Sequence, residues 1–474
     1  MPSYRKVTEF KTLAEFSAYL QSENIHIGLA EGSSAMAQSI NFKGRTIGNR
    51  WAILPMEGWD CTDDGTPSDY TRRRWLNFAA SGAKLIYGTE AAAVMHSGRS
   101  NPQQLLVAPH TLEPLKQLNA DMRRCHREKF GRDDDLLIGL QLTHSGRYSH
   151  PNEAAKLESV TAYSHPLLDK KFGNSAANVV SDDEVKNIIR HFIDAAVMAQ
   201  KAGFDFVDIK HAHGYLGHEF LTAYDRPGPY GGSFENRTRF FREIAEGISK
   251  AAPGLELSAR LSIFDIKPFI KGADGVGQPM EWEGDYPYAF GSDASGMDMD
   301  ENLTEVVKFV RVMQEYGIGL ICATIGSPYY NVHMQRPAYY PVSDGYEMPE
   351  HPLYNVSRHL KAVRRLKELV PEMLIVGSGY TCLQEYLPNA AEYAVAHGEA
   401  DFAGIGRMVL SYPQICADSL AGKSLDRCRI CRTFGDCTSA PRNGMISGCY
   451  PLDHFYKQLP EAARLKEIKK QLKK

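Results

Sequence analysis

FDFVDIKHAHGYLGHEFLTAYDRPGPYGGSFENRTR, the stretch at residues 204–239, begins with a short apolar run and continues into a turn-rich segment. The run at 204–209 is interpreted as a short buried strand. Four side chains that can bind or move protons follow it within six residues: Lys210, His211, His213 and Tyr215. Such groups at the carboxyl end of a strand are typical of barrel active sites. Core packing explains the apolar strand, but it does not explain this cluster.

Eight short apolar runs are spread along the 474-residue chain, and helical patterns fill most of the gaps between them. The predicted strands lie at residues 51–56, 83–87, 136–141, 204–209, 255–261, 318–323, 373–376 and 401–404. Alternation of strands and helices indicates a parallel sheet. Eight unbroken repeats fit a barrel better than an open sheet, and such barrels take about 200 to over 400 residues. The sequence therefore predicts an α/β fold, a (β/α)8 TIM barrel.

The helix before the fourth strand has the clearest boundaries. Ser181, followed three residues later by Glu184, forms a capping box that predicts the helix start. Five apolar residues then recur on one helix face: Val185, Ile188, Ile189, Phe192 and Ala196. Gly203 is typical of a helix end. A half-buried helix therefore leads into the strand at 204–209.

Composition and charge exclude several functional classes. The formal net charge of −3 argues against nucleic acid or an anionic membrane as a partner. The chain has no run of about 18 apolar residues, the length that predicts a membrane-spanning helix. Its first residues, MPSYRKVTEFKTLAEF, contain no apolar signal core, which predicts a cytoplasmic protein.

Two long irregular segments follow the fifth and sixth predicted strands, at 264–302 and 327–352. The second is rich in aromatic side chains: Tyr329, Tyr330, His333, Tyr339, Tyr340 and Tyr346. Both leave the carboxyl ends of strands, so we expect both to lie over the catalytic face. Long loops in a compact domain are usually lids or binding loops. Oligomer contact or surface decoration is the alternative.

Glycine-rich turns follow the seventh and eighth predicted strands, with VGSG at 376–379 and GIGR at 404–407. Neighbouring turns at these two strands match the usual phosphate site of a barrel. Their exposed backbone N–H groups surround phosphate oxygens, and Arg407 adds charge-assisted hydrogen bonds. No G-x-G-x-x-G motif is present, which argues against a Rossmann dinucleotide domain.

Several short motifs accompany these features. They are GNR at 48–50 through PM at 55–56, GR at 98–99, QLTHSGR at 141–147, HGYL at 213–216, YGGSFENR at 230–237, Arg260 and the two glycine turns. Together they resemble the Old Yellow Enzyme family, which is also called the NADH:flavin oxidoreductase family, over residues 35–415. The YGGS-x-ENR run is the most specific of them. The resemblance implies a TIM barrel that binds FMN and takes electrons from NAD(P)H.

The resemblance also implies which side chains surround the flavin. The implied set is Pro55, Met56 and Glu57 at the N5 and C4 edge, Gln141 at the pyrimidine edge, Arg260 at N1 and the C2 carbonyl, and Gly377, Gly379, Gly406 and Arg407 at the phosphate. The place of Arg260 agrees with its chemistry, because a fixed guanidinium stabilises the anionic reduced flavin. Without the resemblance, Gln141 is a strand-end amide and Arg260 takes part in a barrel-mouth salt bridge.

The substrate side departs from the family pattern. Many relatives carry His-x-x-His or His-x-x-Asn after strand four to bond the substrate carbonyl, whereas this chain has Lys210 and His213. An ammonium can polarise a carbonyl, pair with an anion or form a Schiff base. Pairing with Glu57 or Asp208 is the structural alternative. Tyr215 matches the family's proton donor, and its alternative role is a packed pocket-wall tyrosine.

Glu57 is a second departure, because this position in the family usually carries a small polar or sulfur residue. An ionised carboxylate beside the flavin would disfavour the anionic reduced form and lower the midpoint potential. Pairing with Lys210 would weaken that effect. Since both departures fall in one site, we predict a Glu57–Lys210 ion pair.

Four of the nine cysteines lie close together near the C-terminus. They are Cys428, Cys431, Cys437 and Cys449, with gaps of two, five and eleven residues. This spacing in a cytosolic chain indicates a metal site rather than disulfides. Iron-containing relatives, resembling dienoyl-CoA reductase and trimethylamine dehydrogenase, carry four cysteines just after the barrel, with a shorter second gap. The resemblance favours a 4Fe-4S cluster, with Zn or unliganded thiols as alternatives.

The predicted organisation is an FMN-binding barrel at 1–420 and a four-cysteine metal segment with a basic tail at 421–474. The tail carries Lys466, Lys469, Lys470, Lys473 and Lys474. A solvated helix end explains these lysines, and attraction of an acidic electron carrier is the alternative. A cluster in so short a segment would pass electrons to a separate protein or serve structurally. Pairing of barrels into a homo-oligomer stays open.

Three functions are compatible with these features. The first is NAD(P)H-supplied, FMN-dependent reduction of activated C=C bonds, with an enone- or enoate-like small molecule as substrate. Lys210 and His213 would then hold the carbonyl and Tyr215 would protonate the α-carbon. The second is oxidation of an amine or N-methyl compound, with electrons leaving through the cluster and the aromatic loop binding a cation. The third is a Schiff-base lyase that uses Lys210.

Overall fold

Eight parallel strands close into a barrel in the computed structural model of the protein, which describes residues 4–293, 295–300 and 302–471. The strands are β1 Ile40–Phe42, β2 Arg45–Ile47, β3 Trp51–Ile53, β4 Leu85–Ile86, β5 Ala91–Ala93, β6 Leu137–Thr143, β7 Phe206–Ile209, β8 Glu256–Phe264, β9 Phe269–Lys271, β10 Gly277–Pro279, β11 Leu320–Ile325, β12 Leu374–Gly377 and β13 Phe402–Ile405. The barrel runs β3-β4-β6-β7-β8-β11-β12-β13, and β13 pairs with β3 to close the ring. The predicted (β/α)8 barrel is confirmed.

Helices occupy most of the intervals between these strands and cover the outside of the barrel. They are α1 Leu13–Ser22, α2 Asp69–Ala79, α3 Leu112–Phe130, α4 Pro166–Phe172, α5 Asp182–Lys201, α6 Leu216–Leu221, α7 Phe234–Ala251, α8 Thr304–Glu315, α9 Val332–Gln335, α10 Pro352–Leu369, α11 Leu387–Ala396, α12 Arg407–Ser411, α13 Ile415–Leu420, α14 Asp436–Arg442, α15 His454–Lys457 and α16 Pro460–Gln471. Short 3₁₀ helices lie at Val7–Glu9, His96–Gly98, Pro109–Thr111, Gly146–Tyr148, Ala176–Asn178 and Tyr380–Tyr386. Their apolar faces join one large core with the strands.

Each of the eight predicted strands corresponds to one barrel strand. The first, β3, ends at Ile53 although the prediction ran to residue 56. Pro55 explains the early end, because proline has no N–H for the sheet ladder. The fifth, β8, continues to Phe264, three residues beyond the predicted end at 261. The backbone after Ile53 therefore leaves the sheet at the carboxyl end of the barrel, where Glu57 projects.

Helix α5 follows its prediction closely. Ser181 is the N-cap, and its Oγ accepts the Glu184 N–H at 3.2 Å. The capping box is only half formed, since the Glu184 carboxylate accepts from the Asn187 side chain instead of from the N-cap. All five predicted core residues of this helix are buried. The helix ends at Lys201, and Gly203 follows with a φ of 83°, which leads the chain into β7.

The two long loops contact each other at the carboxyl end of the barrel. The first contains the β9–β10 hairpin, and Phe269 N–H donates to the Tyr330 carbonyl of the second at 2.6 Å. Val276 and Glu347 form a second bridge between them. Of the described residues in these two loops, those that line the main cleft belong to the second loop, and the first loop packs against the second. The predicted role in a substrate pocket is therefore supported for the second loop, and the first loop holds the second in place through these contacts.

The C-terminal segment folds back over the barrel mouth. Helices α14 and α16 share a small apolar cluster of their own, made of Ala440, Met445, Tyr450, Tyr456 and Leu465. All nine cysteines are free thiols. Lys473 and Lys474 lie outside the described residues, and the domain division at residue 420 stays a prediction. Among the helices of the described ranges, none has the length and apolar character needed to cross a membrane.

Candidate active site

A cleft at the carboxyl ends of the barrel strands gathers most of the predicted site residues. It holds about 1210 Å³ of free space, which includes open solvent at its mouth. The predicted residues on its wall are Pro55, Met56, Glu57, Gln141, Lys210, His213, Tyr215, Arg260, Gly379, Gly406 and Arg407. Gly377 alone of the predicted cofactor residues does not reach this wall.

Glu57 is the centre of a hydrogen-bond network on one side of the cleft. Its carboxylate accepts from Lys210 Nζ at 3.0 Å and from the Tyr215 hydroxyl at 2.7 and 2.8 Å. A third donor, Ser100 Oγ, lies 2.9 Å away. The side chains of Lys210 and Glu57 are 4% and 13% exposed, so salt screens their attraction only weakly. The predicted Glu57–Lys210 ion pair is confirmed.

The phenol of Tyr215 lies between this pair and a second tyrosine. Lys210 Nζ is 3.6 Å from the centre of the Tyr215 ring, a cation–π contact, and the Tyr329 hydroxyl is 2.9 Å from the Tyr215 hydroxyl. An ionised carboxylate only accepts hydrogen bonds, so Tyr215 donates to Glu57 and Tyr329 donates to Tyr215. Burial raises the pKa of Tyr215 well above its ordinary value, and the charge of Glu57 adds to the rise. The hydroxyl protons are therefore ordered along one chain.

A buried ionic triad fixes the backbone that carries Glu57. Arg74 bonds Asp60 through two nitrogens, at 2.9 and 3.0 Å, and Glu90 at 2.5 Å. The other oxygen of Glu90 accepts the Gly58 N–H at 2.7 Å. Burial raises the pKa of Glu90 to about 7, and Arg74 opposes that rise. This triad holds the turn after β3 from below, which leaves Glu57 little freedom to move.

The two histidines after β7 point in different directions. His213 has a left-handed φ of 68° and turns into the cleft, where its Nε2 accepts from the Gln335 amide nitrogen at 3.2 Å. Burial lowers the pKa of His213 well below its ordinary value, and the charges of Arg260 and Lys210 lower it further. His211 instead packs among phenylalanines on the outside of the barrel. His213 is thus a neutral hydrogen-bonding group of the cleft.

Gln141 and Arg260 both line the cleft, and both act on the buried carboxylate of Asp208. Gln141 Nε2 donates to Asp208 Oδ2, so its carbonyl oxygen is left for a ligand in the cleft. Burial raises the pKa of Asp208 to about 6. Arg260 Nε is buried and has no hydrogen-bond partner. No carboxylate in the described ranges lies within 4.0 Å of this guanidinium, so the barrel-mouth salt bridge considered as an alternative is not formed.

The glycine turns after β12 and β13 are shaped by close backbone approach. Gly379 has a φ of 95°, and a Cβ there would lie 2.7 Å from the His359 ring. A Cβ at Gly404 would lie 2.6 Å from the Gly377 carbonyl oxygen. Side chains are therefore excluded at both positions, and the backbone of the two turns can pack closely. Gly406 has more room, since a Cβ there would meet Met56 at 3.6 Å.

A second arginine, which the sequence did not single out, accompanies Arg407 at these turns. Arg336 lies in the loop after β11 and lines the same wall. Burial and the charge of Arg407 together lower the pKa of Arg336 to about 10. Two adjacent guanidiniums without a carboxylate partner in the described part of the chain can bind an anion, and we call Arg336 and Arg407 the anion site. No local motif marks Arg336, so only its place after a barrel strand could have suggested it.

The C-terminal segment supplies the remaining wall of the cleft. Its contributions are Cys437, Thr438, Pro441, Arg442 and Ser447. Arg336 donates to Thr438 Oγ1, which ties the segment to the anion site. Arg442 pairs with Asp344 of the loop after β11. No sequence pattern indicates that this segment reaches the barrel mouth, because these contacts span about a hundred residues.

The predicted metal ligands are only partly gathered. Burial raises the pKa of the Cys449 thiol, and the nearby thiols of Cys431 and Cys437 add to the rise, so these three lie within electrostatic reach of one another. Cys428 is exposed. Within the described residues no group of three or more Cys, His, Asp or Glu side chains is placed to hold a metal ion. The metal site at these cysteines stays a prediction.

Two NADPH dehydrogenases are similar to the chain in sequence. The one from Bacillus pumilus (strain SAFR-032) is 34% identical over 237 residues, which is 49% of this chain and 64% of the relative. The one from Bacillus subtilis (strain 168) is 33% identical over 241 residues, 50% of this chain and 65% of the relative. The chain therefore spans just under two thirds of the length of these relatives.

A solved structure and a family model complete the comparison. A complex of 2-naphthoyl-CoA reductase with 2-naphthoyl-CoA has a TM-score of 0.64 at 18% identity, and the match covers 90% of this chain and 58% of that one. At this identity the likeness concerns the fold alone. The model of the NADH:flavin oxidoreductase / NADH oxidase family matches residues 36–287, more than half of the chain. The cleft just described lies in that barrel, and the chain belongs to the NADH:flavin oxidoreductase / NADH oxidase family.

Proposed function

We propose that the protein is an FMN-dependent reductase of activated C=C bonds that takes its electrons from NAD(P)H. The observation that carries the proposal is the meeting of two sets of groups in one cleft. An anion site with glycine turns lies at one end, and Tyr215, Lys210 and His213 lie at the other. Family membership supports the cofactor, and the names of the two Bacillus relatives support the electron donor.

The residues present fit FMN. The turns at Gly379 and Gly406, with Arg407 and Arg336, suit a phosphate, because they offer backbone N–H groups and unpaired guanidiniums. The buried, unpartnered Nε of Arg260 suits a polar edge that gains negative charge. Gly377 would act from behind by letting Gly404 approach closely.

FMN bound here would supply transfer of a hydride from the nicotinamide to an activated alkene. Side chains of the protein would bind the substrate and deliver the proton. Lys210 and His213 would hold the carbonyl oxygen of the substrate, and Lys210 keeps donor capacity because an ammonium has three protons. Tyr215 would deliver a proton to the α-carbon, and Tyr329 stands behind it in the hydrogen-bond chain. Gln141 would orient the cofactor through its carbonyl oxygen.

The two other candidate functions have less support. Of the six aromatic residues predicted to bind a cationic amine, only Tyr329 lines the cleft, and the others are bonded or packed elsewhere. Burial lowers the pKa of Lys210, but the ion pair with Glu57 opposes that lowering and favours the protonated form, whereas Schiff-base chemistry needs a neutral amine. Comparing enones with methylated amines, with flavin reduction as the readout, separates the first two functions. Borohydride trapping on Lys210 tests the third.

The first experiment is an absorption spectrum of anaerobically purified protein together with its iron and zinc content. Two flavin bands are the expected result. A broad additional absorbance with iron would support a 4Fe-4S cluster at the four cysteines and the search for a separate electron-transfer protein. Zinc or no metal would favour a self-contained reductase. A colourless protein that FMN does not reconstitute would overturn the proposed function.

Gly379→Ala is expected to weaken FMN binding at least about 30-fold. A Cβ at this position is strained at a φ of 95° and would lie 2.7 Å from His359, so the turn must open. The dissociation constant is measured by titrating the apoprotein with FMN and following flavin fluorescence. Gly398→Ala is the matched control, because Gly398 also has a positive φ but no neighbour within 4 Å. Equal affinity in the two variants would contradict the phosphate assignment.

Glu57→Gln is expected to raise the flavin midpoint potential by about 40 mV, or roughly 2 kcal/mol for a two-electron couple. The change removes one negative charge and leaves Lys210 unpaired, which favours a reduced, anionic flavin. The potential is measured by equilibration with a reference dye during slow reduction. An unchanged potential would show that Glu57 does not act on the cofactor.

A further inference from the structure

The two ends of the cleft differ in how their positive charges are balanced. At the end proposed for FMN, Arg260, Arg336 and Arg407 have no carboxylate within 4.0 Å in the described ranges. At the end proposed for the substrate, Lys210 is already paired with Glu57. The cation that would meet a substrate carbonyl is thus balanced by a carboxylate within hydrogen-bond distance, although this part of the cleft is rich in hydrogen-bond donors.

We propose that Glu57 restricts the enzyme to substrates whose activating group is uncharged, such as enones, enamides and unsaturated esters, and excludes carboxylates. This inference rests on the proposed function and narrows its substrate class. Lys210 and Tyr215 are the groups that would bind a substrate carbonyl, and both already bond Glu57. A carboxylate that reached them would face the like charge of Glu57 at close range.

Hydrogen bonds hold the Glu57 carboxylate in this position. Its carboxylate holds Lys210, Tyr215 and Ser100 at 2.7–3.0 Å, so a movement away would break all of these bonds. The following residue, Gly58, is fixed by its bond to buried Glu90. A neutral carbonyl oxygen needs no such movement, because Lys210 keeps two further protons to donate.

Binding of trans-cinnamamide and trans-cinnamate to the oxidised, FMN-loaded enzyme tests the proposal without turnover. The two probes share one carbon skeleton and differ in the charge of the group that would meet Lys210. We expect the wild-type enzyme to bind cinnamamide at least about 30-fold more tightly, from repulsion between like charges in a poorly screened site. Calorimetry gives both dissociation constants.

Three variants separate the effect of charge from the effect of shape. Glu57→Gln keeps a similar shape and can still accept a hydrogen bond, but it leaves Lys210 as an unpaired cation. We therefore expect the ratio of the two dissociation constants to shift in favour of cinnamate by about 100-fold. Ser100→Ala removes one bond to the same carboxylate without changing any charge, and we expect its ratio to equal that of the wild type. Lys210→Met should abolish cinnamate binding altogether.

Several results would overturn the inference. Wild-type enzyme that binds cinnamate as tightly as cinnamamide is one, and this result needs no variant to fold. A Glu57→Gln variant with the wild-type ratio of the two dissociation constants would also overturn it. So would a Ser100→Ala variant whose ratio shifts as much as that of Glu57→Gln. A wild-type, FMN-loaded enzyme that binds neither cinnamamide nor cinnamate would also count against the inference. A protein without FMN would instead overturn the proposed function, so the two failures are distinct.

Discussion

Tyr215→Phe is expected to slow the reduction of an enone at least about 100-fold, while NADPH reduces the enzyme at the wild-type rate. Proton delivery by a positioned side chain contributes roughly 100- to 10,000-fold. The variant keeps the ring that lies against Lys210 and loses only the hydroxyl that donates to Glu57. Anaerobic stopped-flow absorbance measures the two half-reactions separately.

Tyr329→Phe provides the matched control. This variant removes the hydroxyl that donates to Tyr215 but leaves the proposed proton donor in place. We expect it to slow enone reduction about 10-fold or less, since Tyr215 can regain its proton through Glu57 and Lys210. If both tyrosine variants slowed enone reduction by the same factor, proton delivery would be assigned to Tyr215 and Tyr329 together. An unimpaired Tyr215→Phe variant would remove Tyr215 from the reaction.

Arg74→Met is expected to lower the free energy of unfolding by about 3–5 kcal/mol, because removing one partner of a buried ionic group leaves the others uncompensated. Arg74 is 4% exposed, and its partners Asp60 and Glu90 are fully enclosed beneath the turn that carries Glu57. Urea unfolding at pH 7.5, followed by tryptophan fluorescence, measures the loss.

The loss in the free energy of unfolding caused by Arg74→Met should become smaller as the pH falls. Burial already gives Glu90 a folded pKa of about 7, above its ordinary value, so the folded state binds this proton more strongly than the unfolded state does. Loss of Arg74 removes the charge that opposes this rise. Stability gained from protonating Glu90 is therefore present at low pH and lost as the pH rises, and repeating the titration at pH 5.5 tests the sign.

Arg72→Met is the control for this prediction. Arg72 lies on the same helix, α2, and its guanidinium bonds Asp121 at 3.1 Å, but its side chain is 49% exposed. Exposed ion pairs contribute about 0–1 kcal/mol, so we expect little change. A loss in Arg72→Met as large as that in Arg74→Met would show that burial of the triad does not determine its contribution.

Local patterns were sufficient for the barrel and for part of the site. Apolar runs placed all eight strands, and the alternation with helices placed them in one parallel ring. The pair of Glu57 and Lys210 followed from two unusual residues in one expected site, because opposite charges that replace neutral groups together must compensate each other. The flavin and phosphate residues came from family motifs, and most of them do line one cleft.

Contacts between distant segments were beyond the reach of these patterns. Ser100, which directly follows the GR motif at 98–99, and Arg336, which lies in a loop without a motif, both reach the site without having been predicted there. The aromatic loop was expected to face the substrate, yet Tyr330 bonds buried Asp265 instead and only Tyr329 enters the cleft. Composition of a loop does not determine which of its side chains turn inward, since that depends on what packs behind them.

The sequence by itself determined the ring of eight strands and the carboxyl end at which chemistry occurs, because periodicity and strand-end chemistry are local properties. Only the tertiary structure decided how the other charges are balanced. It left Arg260 and Arg336 without a carboxylate partner in the described ranges, paired Arg442 with Asp344, and brought Cys437 and Arg442 to the barrel mouth. Electrostatic balance depends on distance and burial in space, and residues that are a hundred or more positions apart acquire both only when the chain folds.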